Sequence, residues 1–186
     1  MSRSDFLSLL FRDKLIEDYK IIDKSPCLAE PERFKIIAQV NQQLGEVLPV
    51  LFLSILNARF SESSGTLSYS FDRHNVVLSR NGELAVTFIK DEEELRTLMK
   101  QIIKLLNRGI IYTTGSRRAP QGLVDEKRKL NPMTIYGKLP QTNCKECGES
   151  GCYAFASKLF TGDKKLSDCP HLDVVGLKKL LQPFNL

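Results

Sequence analysis

Residues 66–71 alternate cleanly, with Leu67, Tyr69 and Phe71 on one side and Thr66, Ser68 and Ser70 on the other. That is the period-two pattern of a strand with one buried face. Leu84, Val86 and Phe88 alternate with Glu83, Ala85 and Thr87 in the same way, and residues 75–79 supply a strand before them. Arg80, Asn81 and Gly82 lie between the two, and an Asn-Gly pair favours a tight hairpin. Residues 35–40 are apolar and β-branched, and 58–61 form a short strand. Residues 44–56 are apolar on most sides; Pro49 is tolerable in a first turn, so a buried helix is expected, with a strand as the alternative. Asp91 is a helix N-cap with Glu94 three residues on, and Leu95, Leu98, Met99, Ile102, Ile103, Leu105 and Leu106 form the apolar stripe that follows. Gly109 is expected near the end of that helix. The order is strand, helix, four strands, helix, which predicts an α+β unit over residues 34–112, an antiparallel sheet with helices on one face.

The flanks read differently. Residues 1 to about 20 carry Phe6, Leu9, Leu10, Leu15, Ile16 and Tyr19 at three- and four-residue steps and are expected to be helical. Ser25, Pro26 and Pro31 break the pattern, so 21–33 is expected as a linker holding Cys27, an ordinary thiol. Residues 113–134 are polar with Gly and Pro and are expected as a basic tether. Residues 135–186 form a second unit. In it Tyr153, Phe155, Ala156, Leu159 and Phe160 predict a short helix ending near Gly162, and Val174, Val175, Leu177, Leu180 and Leu181 a last one.

Composition narrows the class. Hydrophobic residues make up 42% of the 186, a globular proportion. The densest apolar run, 47–56, is half the ~20 residues that a membrane span needs. The apolar patch around Phe6 is bracketed by Asp5, Arg12 and Asp13 with no cleavage pattern after it, so a cytoplasmic location is expected. The net charge is +5, and residues 100–138 hold nine basic residues against Asp125 and Glu126. Arg117, Arg118, Lys127, Arg128 and Lys129 read either as solvated surface or as a docking patch for an acidic partner. No phosphate-binding glycine loop or nucleophile motif is present, which points away from an enzyme.

The cysteines carry the chemistry. Cys144, Cys147, Cys152 and Cys169 stand in the spacing C-x2-C-x4-C-x16-C-P. A secreted disulfide scaffold would spread its cysteines through the fold; four within 26 residues read as metal binding. Four thiolates suit the four corners of a [4Fe–4S] cube. Gly148 and Gly151 let the backbone pass close to the sulfides and aim N–H groups at them. Structural zinc is the second reading, although zinc ribbons present two tight C-x2-C hooks and this chain has one. A redox-active pair at Cys144 and Cys147 is the third, without the thioredoxin-like unit that usually carries it. His171 and His74 read as surface or hydrogen-bonding histidines.

Two stretches resemble known families. The element order of 34–112, with Asn57, Ala58, Arg59, Phe60, then Arg80, Asn81, Gly82, Glu83, then residues 89–94, resembles one half-repeat of the TATA-box-binding protein fold. That family bends DNA with two halves and inserted phenylalanines; here there is one half, and Ser79 stands three residues before the hairpin glycine. The stretch with Leu139, Pro140, the four cysteines, Gly148, Phe155, Ala156 and Pro170 resembles the iron–sulfur domain of the corrinoid iron–sulfur protein large subunit and of the Rnf complex B subunit. This resemblance implies that Cys144, Cys147, Cys152 and Cys169 ligate a low-potential [4Fe–4S] cluster. It also implies a redox partner, either a ferredoxin-like donor or a corrinoid-type acceptor. The whole chain resembles iron–sulfur-binding proteins of anaerobic archaea and bacteria. A different class is a cluster-stabilised or redox-sensing module that contacts protein or nucleic acid through its sheet. The Ser/Thr alternation of 66–71 argues against nucleic acid, which favours basic and aromatic faces.

Overall fold

The computed structural model describes residues 15–28, 30–114 and 118–172. Its elements are β1 (Tyr19–Pro26), β2 (Phe34–Val40), α1 (Val47–Ser54), β3 (Arg59–Ser61), β4 (Thr66–Phe71), β5 (His74–Ser79), β6 (Glu83–Ile89), α2 (Glu92–Thr114), α3 (Gln121–Arg128), α4 (Pro132–Tyr136) and α5 (Cys152–Thr161), then a 3-10 turn, Leu166–Asp168. The fold is α+β. Six antiparallel strands lie in the order β1-β2-β6-β5-β4-β3.

One face of the sheet is the core. Ile36, Ala38 and Val40 of β2, Leu84, Val86 and Ile89 of β6, Val76 and Leu78 of β5, and Leu67 and Tyr69 of β4 are buried with α1 and α2. α1 is buried at Val47, Leu48, Val50, Leu51, Phe52 and Leu53, so its nearly all-apolar sequence is that of a central helix. On the opposite face a row of residues in register, Ile37, Ala85, Val77, Ser68 and Arg59, is half-buried or exposed.

The hairpin between β5 and β6 turns at Gly82, whose φ is +85°. A Cβ there would also lie 2.4 Å from the Gln42 carbonyl, so two separate constraints ask for glycine. Asp91 caps α2, its carboxylate accepting from the Glu94 N–H at 2.8 Å.

Several expectations are corrected. The linker expected over 21–33 begins with β1, an edge strand paired to β2 and mostly exposed. Tyr19 lies in that strand too, and residues 1–14 of the expected N-terminal helix fall outside the described residues. The tether expected over 113–134 contains α3 and the start of α4, because Val124 and Lys127 turn inward onto the main core. Gly109 does not end α2, which runs on to Thr114; a Cβ there would lie 2.7 Å from Val47 Cγ1, so glycine lets α1 and α2 approach. Phe88 does not continue the inward alternation. It sits at a bulge with φ +66°, and Ile89 takes the buried position instead. His74 is buried at the start of β5, with Nδ1 3.2 Å from the Thr87 carbonyl and Nε2 3.6 Å from Glu94. The last helix expected over 174–181 lies outside the described residues.

A second, smaller core gathers Ile135, Leu139, Cys152, Phe155, Ala156 and Leu159, with Leu56 of the main unit packed against it. Asn57 joins the two parts: its Nδ2 donates to the Ser70 carbonyl at 2.7 Å and to the Thr161 carbonyl at 2.8 Å. Among the described residues, no helix is long and apolar enough to cross a membrane.

Candidate metal centre

The second core positions the cysteines. α4 starts with a capping box, in which the Asn131 side chain accepts from the Thr134 N–H at 3.0 Å and Pro132 takes the first helical position. Ile135 and Leu139 then anchor the chain, and Cys144 follows after Pro140 and three polar positions. α5 begins at Cys152 and ends at Gly162, whose φ of +89° suits a left-handed C-cap. Phe155, Ala156 and Leu159 bury its inner face, and Tyr136 meets Tyr153 edge-on at 5.9 Å.

None of the four cysteines is in a disulfide. Cys144 is exposed, Cys147 and Cys169 half-buried, and Cys152 buried. The approach to them is backbone in an unusual state. Gln141, Asn143 and Lys145 have φ of +58°, +51° and +65°, so left-handed residues recur at alternate positions around Cys144. Left-handed conformation costs about 1–2 kcal/mol for residues other than glycine, least for asparagine, and such strain gathers at functional sites.

Asn143 ties the two ends of the loop together. Its N–H donates to Cys152 Sγ at 3.4 Å, and its Oδ1 accepts from the Cys152 N–H at 2.8 Å. Gly151 is extended, and a Cβ on it would meet Asn143 Oδ1 at 2.9 Å, so its small size makes room for that bond. Gly148 is left-handed at φ +79°, and its N–H donates to the Lys145 carbonyl at 2.9 Å. It therefore closes a turn around Glu146 and Cys147. α5 adds the partial positive charge of a helix N-terminus beside Cys152.

Charged side chains surround the loop. Glu149, 8% exposed, meets Lys158 Nζ at 2.8 Å and Lys164 Nζ at 3.5 Å. Lys164 also donates to the Cys147 carbonyl at 3.0 Å. The hydrogen bond from Lys158 holds the Glu149 carboxyl below the usual carboxylate range, and Glu149 in turn holds Lys158 above the usual ammonium range. Glu146 and His171 pair at 3.0 Å, and together with Cys144 Sγ their ligand atoms lie within 4.8 Å of one another. None of these charged groups was singled out as a site residue from the sequence.

Among the described residues, no three cysteine sulfurs lie within 4.8 Å of one another.

The described members of the expected basic patch stand in different surroundings. Lys127 is buried and donates to the carbonyls of Phe52 and Ile55 at the end of α1, at 2.6 Å for the latter. Burial pulls its ammonium down to about 7. Arg128 is held by Glu62 at 3.1 Å and Asp125 at 3.2 Å. Arg118 and Lys129 are exposed, and Arg117 lies outside the described residues.

Comparison with known proteins bears on the second unit. Residues 139–171 match the family model described as "Putative Fe-S cluster", a stretch that contains all four cysteines. These residues are similar to an iron–sulfur domain. The same region is similar to the acetyl-CoA decarbonylase/synthase complex subunit gamma of Methanosarcina acetivorans, 60% identical over 45 residues, 24% of this chain and 10% of that protein. The Methanocaldococcus jannaschii subunit gamma is 42% identical over 52 residues, 28% of this chain and 11% of that protein. The Methanopyrus kandleri subunit gamma is 44% identical over the same length and shares. The match thus spans about a tenth of these relatives. No solved structure matches the chain at a significant level.

Proposed function

We propose that the chain binds a [4Fe–4S] cluster through Cys144, Cys147, Cys152 and Cys169 and relays single electrons between protein partners in anaerobic archaeal metabolism. The observation that carries the reading is that one iron–sulfur family stretch, 139–171, contains both the C-x2-C-x4-C loop and the remote Cys169-Pro170. The loop suits an anionic cluster: an N–H on Cys152 Sγ and a helix N-terminus both favour negative charge there. When bound, the cluster supplies one-electron chemistry at low potential.

The chain's own residues divide the remaining work. Asn143 and Gly151 set the distance between the loop and α5. Phe155, Ala156 and Leu159 exclude water from below, while exposed Cys144 and half-exposed Tyr153 mark the side open to a partner. Four cysteine ligands leave no iron open for substrate, which favours a carrier over a catalyst.

The relatives belong to an acetyl-CoA decarbonylase/synthase complex, so the partner class we propose is a component of such a complex or its electron donor. Anaerobic protein mixed with a reduced ferredoxin in stopped flow tests this. Bleaching of the cluster absorbance within the time of mixing supports a relay. A cluster that stays oxidised with reduced ferredoxin and with each complex component in turn makes it structural.

A further inference from the structure

The three charged side chains behind the cysteine loop form a unit whose sign is fixed by composition. Glu149 contributes one negative charge, and Lys158 and Lys164 one positive charge each. Glu149 is 8% exposed, and the Lys164 side chain 25%. Lys164 reaches past Glu149 to the carbonyl of Cys147 at 3.0 Å, so a cation touches the peptide of one proposed ligand directly. Lys158 is half-exposed at 51% and reaches the loop only through Glu149. Neighbouring Lys165 is exposed and makes no ion pair among the described residues.

We infer that Lys164 and Glu149 are positioning residues that set the reduction potential of the bound cluster, Lys164 raising it and Glu149 lowering it. The inference rests on the cluster reading given above. Its physical basis is charge. Four thiolates and an oxidised [4Fe–4S] core sum to about −2, and one added electron makes the site about −3. A cation fixed at the ligand's own peptide stabilises the second state more than the first, and a fixed anion does the reverse. Partial burial keeps both charges from being screened as surface charges are. Glu149 plays two opposed parts: it steers Lys164 and Lys158 towards the loop, and its own charge opposes reduction.

The test is a redox titration, under argon at constant pH, of the full chain and of Lys164→Gln, Lys158→Gln, Glu149→Gln, Lys164→Arg and Lys165→Gln. Iron content is read first. Lys164→Gln is expected to lower the potential, Lys158→Gln to lower it less, and Glu149→Gln to raise it; Lys164→Arg keeps the parent value. Raising salt to about 1 M should erase any shift from Lys165→Gln while leaving that of Lys164→Gln. Opposite signs for the lysine and glutamate variants are not produced by a general loosening of the loop. If Lys164→Gln fails to hold iron, the opposed pair Lys158→Gln and Glu149→Gln carries the same test. Shifts of one sign for both, or potentials equal to the parent, overturn the inference and leave the network a brace for the turn. Parent protein without iron overturns the cluster reading itself, and the inference with it.

Discussion

Asn143 and Cys152 hold each other across the cysteine loop: the Asn143 N–H donates to Cys152 Sγ at 3.4 Å, and Asn143 Oδ1 accepts the Cys152 N–H at 2.8 Å. The first bond supports a sulfur that carries negative charge, and the second caps the start of α5 from a distance. Asn143→Ala removes the cap and places alanine at φ +51°, about 1 kcal/mol of local strain. Gly151→Ala reaches the same bond from the other side, since its Cβ would stand 2.9 Å from Asn143 Oδ1. Both variants should lose iron to a chelator several times faster than the parent under anaerobic conditions. Loss at the parent rate in both would show that the pair has no part in retention.

Lys127 predicts a pH dependence of stability. Its folded value is about 7 and its ordinary value 10.5, so between these the unfolded chain binds a proton that the folded chain does not. Stability from this group therefore rises as pH rises from about 7 to about 10, by up to ~1.4 kcal/mol per pH unit. Lys127→Met should flatten the curve over that window, read as the difference between parent and variant in urea unfolding. Parallel curves would contradict the assignment.

Gly109 predicts a packing cost. Gly109→Ala puts a Cβ 2.7 Å from Val47 Cγ1 inside the α1–α2 contact. It should destabilise by about 1–3 kcal/mol, although alanine is the better helix former. A neutral or stabilising result in thermal unfolding would show that the helices can part freely.

The two hydrophobic cores predict separable folding. Ile16 and Val124 belong to the main core, so a fragment of residues 15–130 should unfold cooperatively by circular dichroism without the cysteine unit. A fragment of 34–112, lacking β1 and α3, should melt at a lower temperature. If 15–130 stays unfolded, the cores depend on each other through Leu56 and Asn57.

The legible parts of this fold are those where one local rule governs each residue. Alternation places β4, where Leu67 and Tyr69 are buried as expected while Phe71 at the strand end is exposed; the Asn81-Gly82 pair places the hairpin, and Asp91 with Glu94 starts α2. β1 escapes such reading because both sides of it are largely exposed, so Asp23 and Lys24 resemble a loop until β2 pairs with them. Lys127 escapes because its partners are backbone carbonyls 75 and 72 residues away. Among the site residues, the four cysteines stand out by spacing. Glu149, Lys158 and Lys164 look like ordinary surface charges until α5 brings them behind the loop. Phe88 departs from its alternation because a bulge uses up one residue.

The most direct measurement is the inorganic content of protein purified without oxygen, for the parent and for alanine at each cysteine. The account predicts about four irons and four acid-labile sulfides per chain, lost in Cys144→Ala, Cys147→Ala, Cys152→Ala and Cys169→Ala and kept in Cys27→Ala. One tightly held zinc without sulfide, or a cluster that needs Cys27 as much as Cys152, would contradict it.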